Sequence, residues 1–318
     1  MSHPLPTALT AALEALLEGV SRRDLAERSA RLTAEYRKSG AARLTDRLDH
    51  IAYAVARMPA TFAAVSAALG WTMPALGDWQ PRTLLDLGSG PGTAIWAARE
   101  RFARLAAVIA IERDRGMIGL AADLPPPDLR ISRMDADLGS GAAVSMPRSD
   151  LVIASYVLGE LVEGAGRALV ERAWEACSGV MLLVEPGTPS GARKIGAARA
   201  QLIAAGAHIL APCPNALACP MAAPDWCHFP ARLPRSRAHM QIKSADVPFE
   251  DEKFAYLAAA RFPAATLPEG RIVGPVMLSK PDAQMRVCKD GGISQIIVAR
   301  RDASAFRQAR KRGWGDPF

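Results

Sequence analysis

The chain has few cysteines, no recognisable secretory leader and no internal repeat. Five of its 318 residues are cysteines, and residues 1–6 lack the basic and apolar segments of a signal peptide. Few cysteines without an export signal argue against a disulfide framework and leave free thiols or a metal site. No apolar run approaches the length that spans a membrane. We therefore expect a cytoplasmic protein that has no membrane segment.

Acidic residues are in the minority. The chain has 39 Lys and Arg against 32 Asp and Glu, which gives a net charge of +7 and a pI near 9.4. This balance favours an acidic partner, with nucleic acid first, although a mildly basic enzyme is the alternative. The length predicts two or three domains, or one elaborated domain.

A strand, a glycine loop and a helix follow one another at residues 83–102. The apolar run 83–87 predicts a buried strand, and glycines then stand at alternate positions before a helix-like run. Glycine allows a sharp turn and a close ligand, and the helix offers its free N–H groups. The spacing G-x-G-x-G, preceded by Asp86, departs from the dinucleotide pattern and resembles the S-adenosylmethionine (SAM) loop of class I methyltransferases. A tight turn without a ligand is the alternative.

Residues 80–205 alternate between strands and helices, which predicts a doubly wound parallel sheet. The predicted strands are 83–87, 106–111, 129–133, 150–154 and 180–185, and Cys177 is placed in the helix before the last of them. Ligands of such sheets lie beyond the carboxyl ends of the strands. Glu112, after the second strand, can accept two ribose hydroxyls. The predicted cofactor residues are Asp86, Gly88, Ser89, Gly90, Gly92, Glu112 and Asp135.

Two positions in this crevice remain open. Asp137 competes with Asp135 as the residue that holds the adenine amino group. At the end of the fourth strand, Tyr156 could stack on a base and Glu160 could act as a general base. These two are the only catalytic candidates, and the sequence favours structural roles for them: Tyr156 shapes the pocket and Glu160 begins a helix. The sequence has no Asn/Asp-Pro-Pro-aromatic tetrad of the kind that amine methyltransferases carry here.

Four cysteines follow this region with the spacing C-x5-C-x7-C-x60-C. Thiolates in this arrangement suit a soft metal or an iron–sulfur cluster. Structural zinc usually uses closer cysteine pairs, so zinc remains an alternative, as does a site without metal. The predicted ligands are Cys213, Cys219, Cys227 and Cys288.

Basic residues cluster in two places, and a phosphate backbone is their natural target. A solvated loop is the alternative. The last stretch is expected to be a flexible or partly helical tail in which Trp314 could stack on a base. The predicted RNA-binding residues are Arg232, Arg235, Arg237, Arg310, Lys311 and Arg312.

The predicted organisation has five parts. A helical N-terminal region spans 1–75, with a helix over 46–58 that Pro59 ends and a short helix over 62–69. The methyltransferase core spans 76–206, and a cysteine-rich metal-binding insert spans 207–245. A β-rich segment over 246–302 supplies the fourth cysteine, and a basic tail spans 303–318.

The glycine loop, E-P-G-T-P at 185–189, P-C-P at 212–214 and W-C-H-F at 226–229 together resemble one family. It contains mitochondrial small-ribosomal-subunit assembly factors of the methyltransferase-like group (the Rsm family), and it has bacterial relatives. The resemblance covers roughly residues 45–302. It implies an α/β class I SAM-dependent methyltransferase fold with a Rossmann-like sheet, and SAM contacts at the glycine loop and Glu112. It also implies a [4Fe–4S] cluster on the four cysteines.

The same resemblance implies binding to small-subunit rRNA and the 30S subunit by a cytoplasmic bacterial protein, which we expect to be a monomer. Two functions are compatible with it, an rRNA methyltransferase and a cofactor-binding assembly factor without methyl transfer. A small-molecule methyltransferase with a zinc-stabilised insert is a third hypothesis.

Overall fold

The computed structural model describes residues 2–39, 42–140 and 144–318. The helices are α1 (Thr7–Ala15), α2 (Arg22–Ser39), α3 (Arg47–Leu76), α4 (Thr93–Arg101), α5 (Arg115–Asp123), α6 (Glu163–Ala176), α7 (Pro189–Ala204), α8 (Arg237–Ile242) and α9 (Ala303–Ala309). The strands are β1 (Thr83–Leu87), β2 (Ala107–Glu112), β3 (Arg130–Asp135), β4 (Ser149–Ser155), β5 (Cys177–Pro186), β6 (His208–Ala211), β7 (Phe229–Pro234), β8 (Phe249–Ala260), β9 (Gly270–Ile272), β10 (Met277–Leu278), β11 (Asp282–Lys289) and β12 (Gly292–Ala299).

The main sheet has the strand order β3-β2-β1-β4-β5-β8-β6, and β7 pairs with another part of β8. Strands β1 to β5 are parallel, whereas β8 runs antiparallel to β5. Parallel strands covered by helices on both faces need apolar side chains on both sides, which explains the near-continuous apolar runs in the sequence. The order confirms the predicted doubly wound, class I methyltransferase type of sheet. The sheet also takes β6, β7 and β8 from beyond residue 206.

The helix α3 differs from its prediction. It runs unbroken from Arg47 to Leu76 through Pro59 and Pro74, so the expected stop at Pro59 is wrong. A proline removes one backbone hydrogen bond from a helix, but α3 packs against α4 and β8 and is buried on most of its circumference. This burial offsets the lost bond.

The same helix is long and apolar enough to cross a membrane, so the statement that no run reaches that length is wrong for α3. However, 83% of its most apolar window is buried inside the protein, as in the core helix of a water-soluble protein. Among the residues that the structure covers, it is the one helix that meets these criteria, and it is weak evidence for a membrane span.

Two further elements depart from the sequence reading. Cys177 begins β5 and is fully buried there, instead of ending the preceding helix. The tail is ordered against a second sheet built from β9 to β12: α9 packs on β12, and the Phe318 N–H donates to the Gly270 carbonyl at 2.8 Å. Trp314 is half-buried there instead of extending from the surface.

Candidate cofactor crevice and cysteine cavity

The glycine loop between β1 and α4 needs its glycines. Gly88, Gly90 and Gly92 have φ angles of +66°, +51° and +85°, in the left-handed region that residues with a Cβ rarely adopt. A Cβ on Gly88 would also lie 2.4 Å from Cγ2 of Val157. The alternate spacing of the three glycines therefore follows from alternate left-handed turns of the backbone.

Glu112 joins the glycine loop to the end of β2. Its Oε2 accepts a hydrogen bond from the Gly90 N–H at 2.8 Å. Its Oε1 accepts from the Arg113 and Asp114 N–H groups at 2.8 and 2.9 Å. The carboxylate lies on the wall of a crevice of about 170 Å³ that Gly88 and Gly90 also line. It is thus fixed at the position where the sequence predicts a ribose-binding acid.

Asp86 lies under the loop without a partner. Its side chain is fully buried, and neither carboxylate oxygen has a hydrogen-bond partner in the part of the chain that the structure describes. Burial, and then the nearby charge of Glu112, raise the pKa of Asp86 to about 8. A buried polar group without a partner is costly unless a ligand or water satisfies it.

Of the two competing aspartates, Asp137 lies on the crevice wall. Asp135 is instead bound to Arg115, whose Nε lies 2.6 Å from Oδ2 of Asp135. Ser89 and Gly92 lie in the loop backbone, where the Ser89 N–H donates to the Ile111 carbonyl at 3.0 Å and Gly92 caps α4.

Both catalytic candidates line the crevice, and both are already engaged. The Tyr156 hydroxyl donates to Oε1 of Glu252 at 2.9 Å, and Nη2 of Arg57 lies 3.4 Å from the same oxygen. Burial, and then the charge of Glu252, raise the pKa of Tyr156 well above its ordinary value. Glu160 is 3.2 Å from Nη2 of Arg113, and burial raises the pKa of its carboxyl.

Glu185, at the end of β5, is a buried acid that the sequence reading placed only loosely at this edge. Its Oε1 accepts from the Leu158 N–H at 2.8 Å, and its Oε2 has no partner among the described residues. Burial raises the pKa of Glu185 to about 7. Together with Asp86, it gives the carboxyl edge of the sheet two buried acids that bind protons near neutral pH.

The four cysteines outside the core line one cavity. Cys213 follows β6, Cys219 lies in the next loop, Cys227 precedes β7 and Cys288 lies on β11. None forms a disulfide. Burial is the main cause that raises the pKa of the Cys213 and Cys227 thiols, and that of Cys288 to about 11. The fold thus brings together thiols from segments far apart in the sequence.

A site for a single metal ion is absent from the described residues. Across residues 2–39, 42–140 and 144–318, no group of three or more His, Cys, Asp or Glu side chains is arranged to hold one metal ion. The cavity does contain Arg199 and Arg271, two cations that sequence reasoning did not place there.

An aromatic group lies beside Cys227. Trp226 stacks on His228, with ring centroids 5.2 Å apart, and His228 meets the edge of Trp314 at 4.7 Å. The Trp226 Nε1–H donates to the Gly187 carbonyl at 2.9 Å. This bond ties the cysteine segment to the loop that leaves the carboxyl end of β5.

The predicted RNA-binding residues fall into two groups. Arg232 forms two hydrogen bonds of 2.7 Å with Asp251, and Arg235 lies 3.1 Å from Glu250. Their partners lie on β8, just beyond the stretch over which the local positive charge was counted. No ion pair is recorded for the remaining predicted residues within the described ranges: Arg237, Arg310, Lys311 and Arg312.

Comparison with known proteins gives one family. The family model described as mitochondrial small ribosomal subunit Rsm22 matches residues 47–318. The human protein named ribosome assembly protein METTL17, mitochondrial, is 29% identical over 287 residues, and the match covers 84% of this chain and 61% of that protein. The chain therefore spans about three fifths of the length of this relative.

Solved structures of methyltransferases are similar at low sequence identity. The magnesium protoporphyrin IX methyltransferase of Synechocystis PCC 6803 with bound SAM is 16% identical, with a TM-score of 0.40, over 81% of this chain and 98% of its own. The precorrin-6y C5,15-methyltransferase of Geobacter metallireducens is 14% identical, with a TM-score of 0.39, over 60% and 87%.

Proposed function

Because the chain belongs to the Rsm22 family of mitochondrial small-ribosomal-subunit proteins, we propose that it is a SAM-binding, methyltransferase-like assembly protein of the small ribosomal subunit. The membership confirms the resemblance predicted from the glycine loop and the cysteine motifs. The observation that carries the proposal is the extent of the match, residues 47–318, which includes the glycine loop and Glu112 of the crevice and all the residues that line the cysteine cavity. Action on small-subunit rRNA and a cytoplasmic, bacterial location are parts of the same proposal.

The acids of the crevice match SAM in charge. The cofactor carries a positive sulfonium and a positive ammonium, and Asp86 is a buried acid that lacks a partner. Glu112 lines the crevice as an acceptor for ribose hydroxyls, and Gly88 and Gly90 of the loop line the same space. We assign cofactor contacts to Asp86, Glu112 and the loop 88–92, and the adenine end to Asp137 in preference to Asp135. When bound, SAM supplies an electrophilic methyl group.

Of the two hypotheses, the contacts in the crevice favour an assembly factor that binds SAM without transferring its methyl group. The Tyr156 hydroxyl is occupied by Glu252, and Glu160 faces Arg113. A general base needs a free acceptor within reach of the substrate proton. The test measures SAM affinity by calorimetry and methyl transfer to 30S particles and precursor rRNA. Tight binding without methylated RNA supports the assembly-factor version, whereas methylated RNA that Tyr156→Phe abolishes supports the enzyme.

We further propose that Cys213, Cys219, Cys227 and Cys288 hold a [4Fe–4S] cluster. The donor set consists of four thiols, which is the ligation of such a cluster. Each thiolate of such a cluster binds a different iron. When bound, the cluster cross-links the segments that carry the cysteines.

The metal test compares two cysteines. The protein is purified without oxygen, and iron, sulfide and zinc are quantified in the wild type, Cys227→Ser and Cys177→Ser. We expect four irons and four sulfides per chain in the wild type and in Cys177→Ser, since Cys177 lies in the core strand β5. Cys227→Ser should lose both. Zinc alone would support the zinc alternative, and a metal-free wild type would refute both metal proposals.

RNA binding is proposed for the unpaired basic residues. Each phosphate contact contributes to the salt dependence of binding. A variant with Arg310, Lys311 and Arg312 changed to Gln should bind small-subunit rRNA more weakly and with a shallower salt dependence. Arg232→Gln is the control, because its guanidinium is held by Asp251. Equal losses in both variants would contradict this assignment.

A further inference from the structure

Two buried arginines in the cysteine cavity have no acidic partner. Arg199 on α7 is 9% exposed, and Arg271 on β9 is 2% exposed. Both line the cavity with the four cysteines. Of the carboxylates that the structure places, none lies within 4.0 Å of either guanidinium. Burying an unpaired cation costs several kcal/mol, so these charges need a compensating anion.

The contacts that the two arginines do make are to backbone carbonyls. Nη2 of Arg199 donates to the carbonyls of Asn215 and Leu217, at 3.1 and 2.7 Å, in the loop between Cys213 and Cys219. Nε of Arg271 donates to the Pro212 carbonyl at 2.9 Å, and its Nη1 donates to that of Gly315 at 3.0 Å. Carbonyl dipoles orient the guanidiniums without neutralising them.

Arg271 is also fixed by the second sheet. It stands opposite Cys288 in the antiparallel register of β9 and β11. Nε of Arg199 is buried and has no hydrogen-bond partner among the described groups. One guanidinium therefore approaches the cavity from the α/β core and the other from the second sheet.

The charge of a thiolate-bound cluster matches this pair. Four thiolates on a cluster core of charge two plus leave a net charge of two minus, and each guanidinium keeps its charge at any physiological pH. We propose that Arg199 and Arg271 are the charge partners of an anionic four-thiolate centre, which makes the cavity neutral only when the centre is bound. This inference rests on the cluster proposed above and assigns positioning roles to two residues that bind no iron.

A purely structural role makes a different prediction. If the arginines only tie the cysteine loops through carbonyls, their loss destabilises the protein with and without the cluster. If they balance charge, the effect of losing an arginine on stability depends on whether the four-thiolate centre is bound. Without it, no carboxylate that the structure places balances the arginine, and a glutamine in its place removes an unpaired buried charge; with it, the same glutamine leaves the centre short of one cation.

The test uses Arg199→Gln and Arg271→Gln, together with Arg199→Lys, which keeps the charge. Arg286→Gln is the control, because it removes a cation two residues from Cys288 but from an exposed ion pair with Asp225. Two quantities are measured: the rate at which a chelator bleaches the cluster absorbance, and the melting temperature of the metal-free protein.

We expect both glutamine variants to lose the cluster several-fold faster than the wild type while their metal-free forms melt no lower. Arg199→Lys and Arg286→Gln should keep the cluster nearly as long as the wild type. Lower melting in the metal-free form, or wild-type rates of cluster loss, would overturn the charge role while the cluster itself stands. A wild type that takes up no cluster would overturn the metal proposal and this inference with it.

Discussion

Asp86→Asn isolates the buried acid beneath the glycine loop. Burial raises the pKa of Asp86 from its ordinary 3.8 to about 8, and the charge of Glu112 adds to the effect. An acid with a raised pKa in the folded state contributes stability below its unfolded pKa, and this contribution is lost as pH rises through its folded pKa. Asparagine is neutral throughout, so the variant lacks this loss.

The size of the effect follows from the two pKa values. At about 1.4 kcal/mol per pKa unit, the whole loss is about 6 kcal/mol. The part that falls between pH 5 and pH 9 is about 4 kcal/mol, because the unfolded acid is already ionised at pH 5. The wild type should therefore lose about 4 kcal/mol relative to Asp86→Asn over that range, in addition to the about 2 kcal/mol already lost at pH 5.

The assay is urea unfolding of the metal-free, reduced protein, followed by tryptophan fluorescence from pH 5 to pH 9. Taking the difference between the two proteins cancels the titration of the groups that they share. Asp246→Asn is the control, since Asp246 is exposed, and its difference from the wild type should stay flat. A flat difference for Asp86→Asn as well would refute the claim that this acid is buried without a partner.

Three further predictions follow from the contacts. Gly88→Ala should destabilise the protein more than Gly90→Ala, because the first new Cβ meets Val157 and the second meets nothing within 4 Å; urea unfolding would show it, and Val157→Ala should recover the difference. Asp49→Asn should cost about 3 kcal/mol at pH 7, since two arginines and a threonine bind this buried carboxylate and hold its pKa well below the usual range. That contribution is present above pH 4 and lost below it, so the gap should close in acid. Tyr156→Phe should cost about 1 kcal/mol in the same unfolding assay through one lost hydrogen bond.

The glycine loop could be predicted from a short sequence motif. Contacts between residues far apart in the chain could not. Each glycine of the loop is required by its own φ angle, which a short motif records. The Tyr156 hydroxyl donates to Glu252, which lies 96 residues later in the chain, on β8. No local sequence pattern indicates which acid will accept a hydrogen bond from a side chain in the crevice. The hydrogen bond of the Tyr156 hydroxyl was therefore not predictable.

The basic stretch shows the same limit in electrostatics. Arg232 was predicted to bind RNA because it lies in a basic cluster, whereas the antiparallel register of β7 and β8 sets it directly opposite Asp251. A cation that looks free in sequence is therefore neutralised by a strand that follows it. At Pro59, the sequence predicted a helix end because proline removes a backbone hydrogen bond. The burial of α3, which the local sequence does not indicate, outweighs that lost bond.

The carboxyl end of β5 explains why the crevice and the cysteine cavity occur on one frame. Glu185 accepts from the Leu158 N–H on the crevice side, and the Gly187 carbonyl accepts from Trp226, the neighbour of Cys227. The antiparallel β8 holds the same turn, because the Gly187 N–H donates to the Lys253 carbonyl. β7, which begins just after Cys227, pairs with that part of β8. The two candidate sites therefore lie at the same edge of the sheet because one antiparallel strand carries the cysteine segment back to the end of β5.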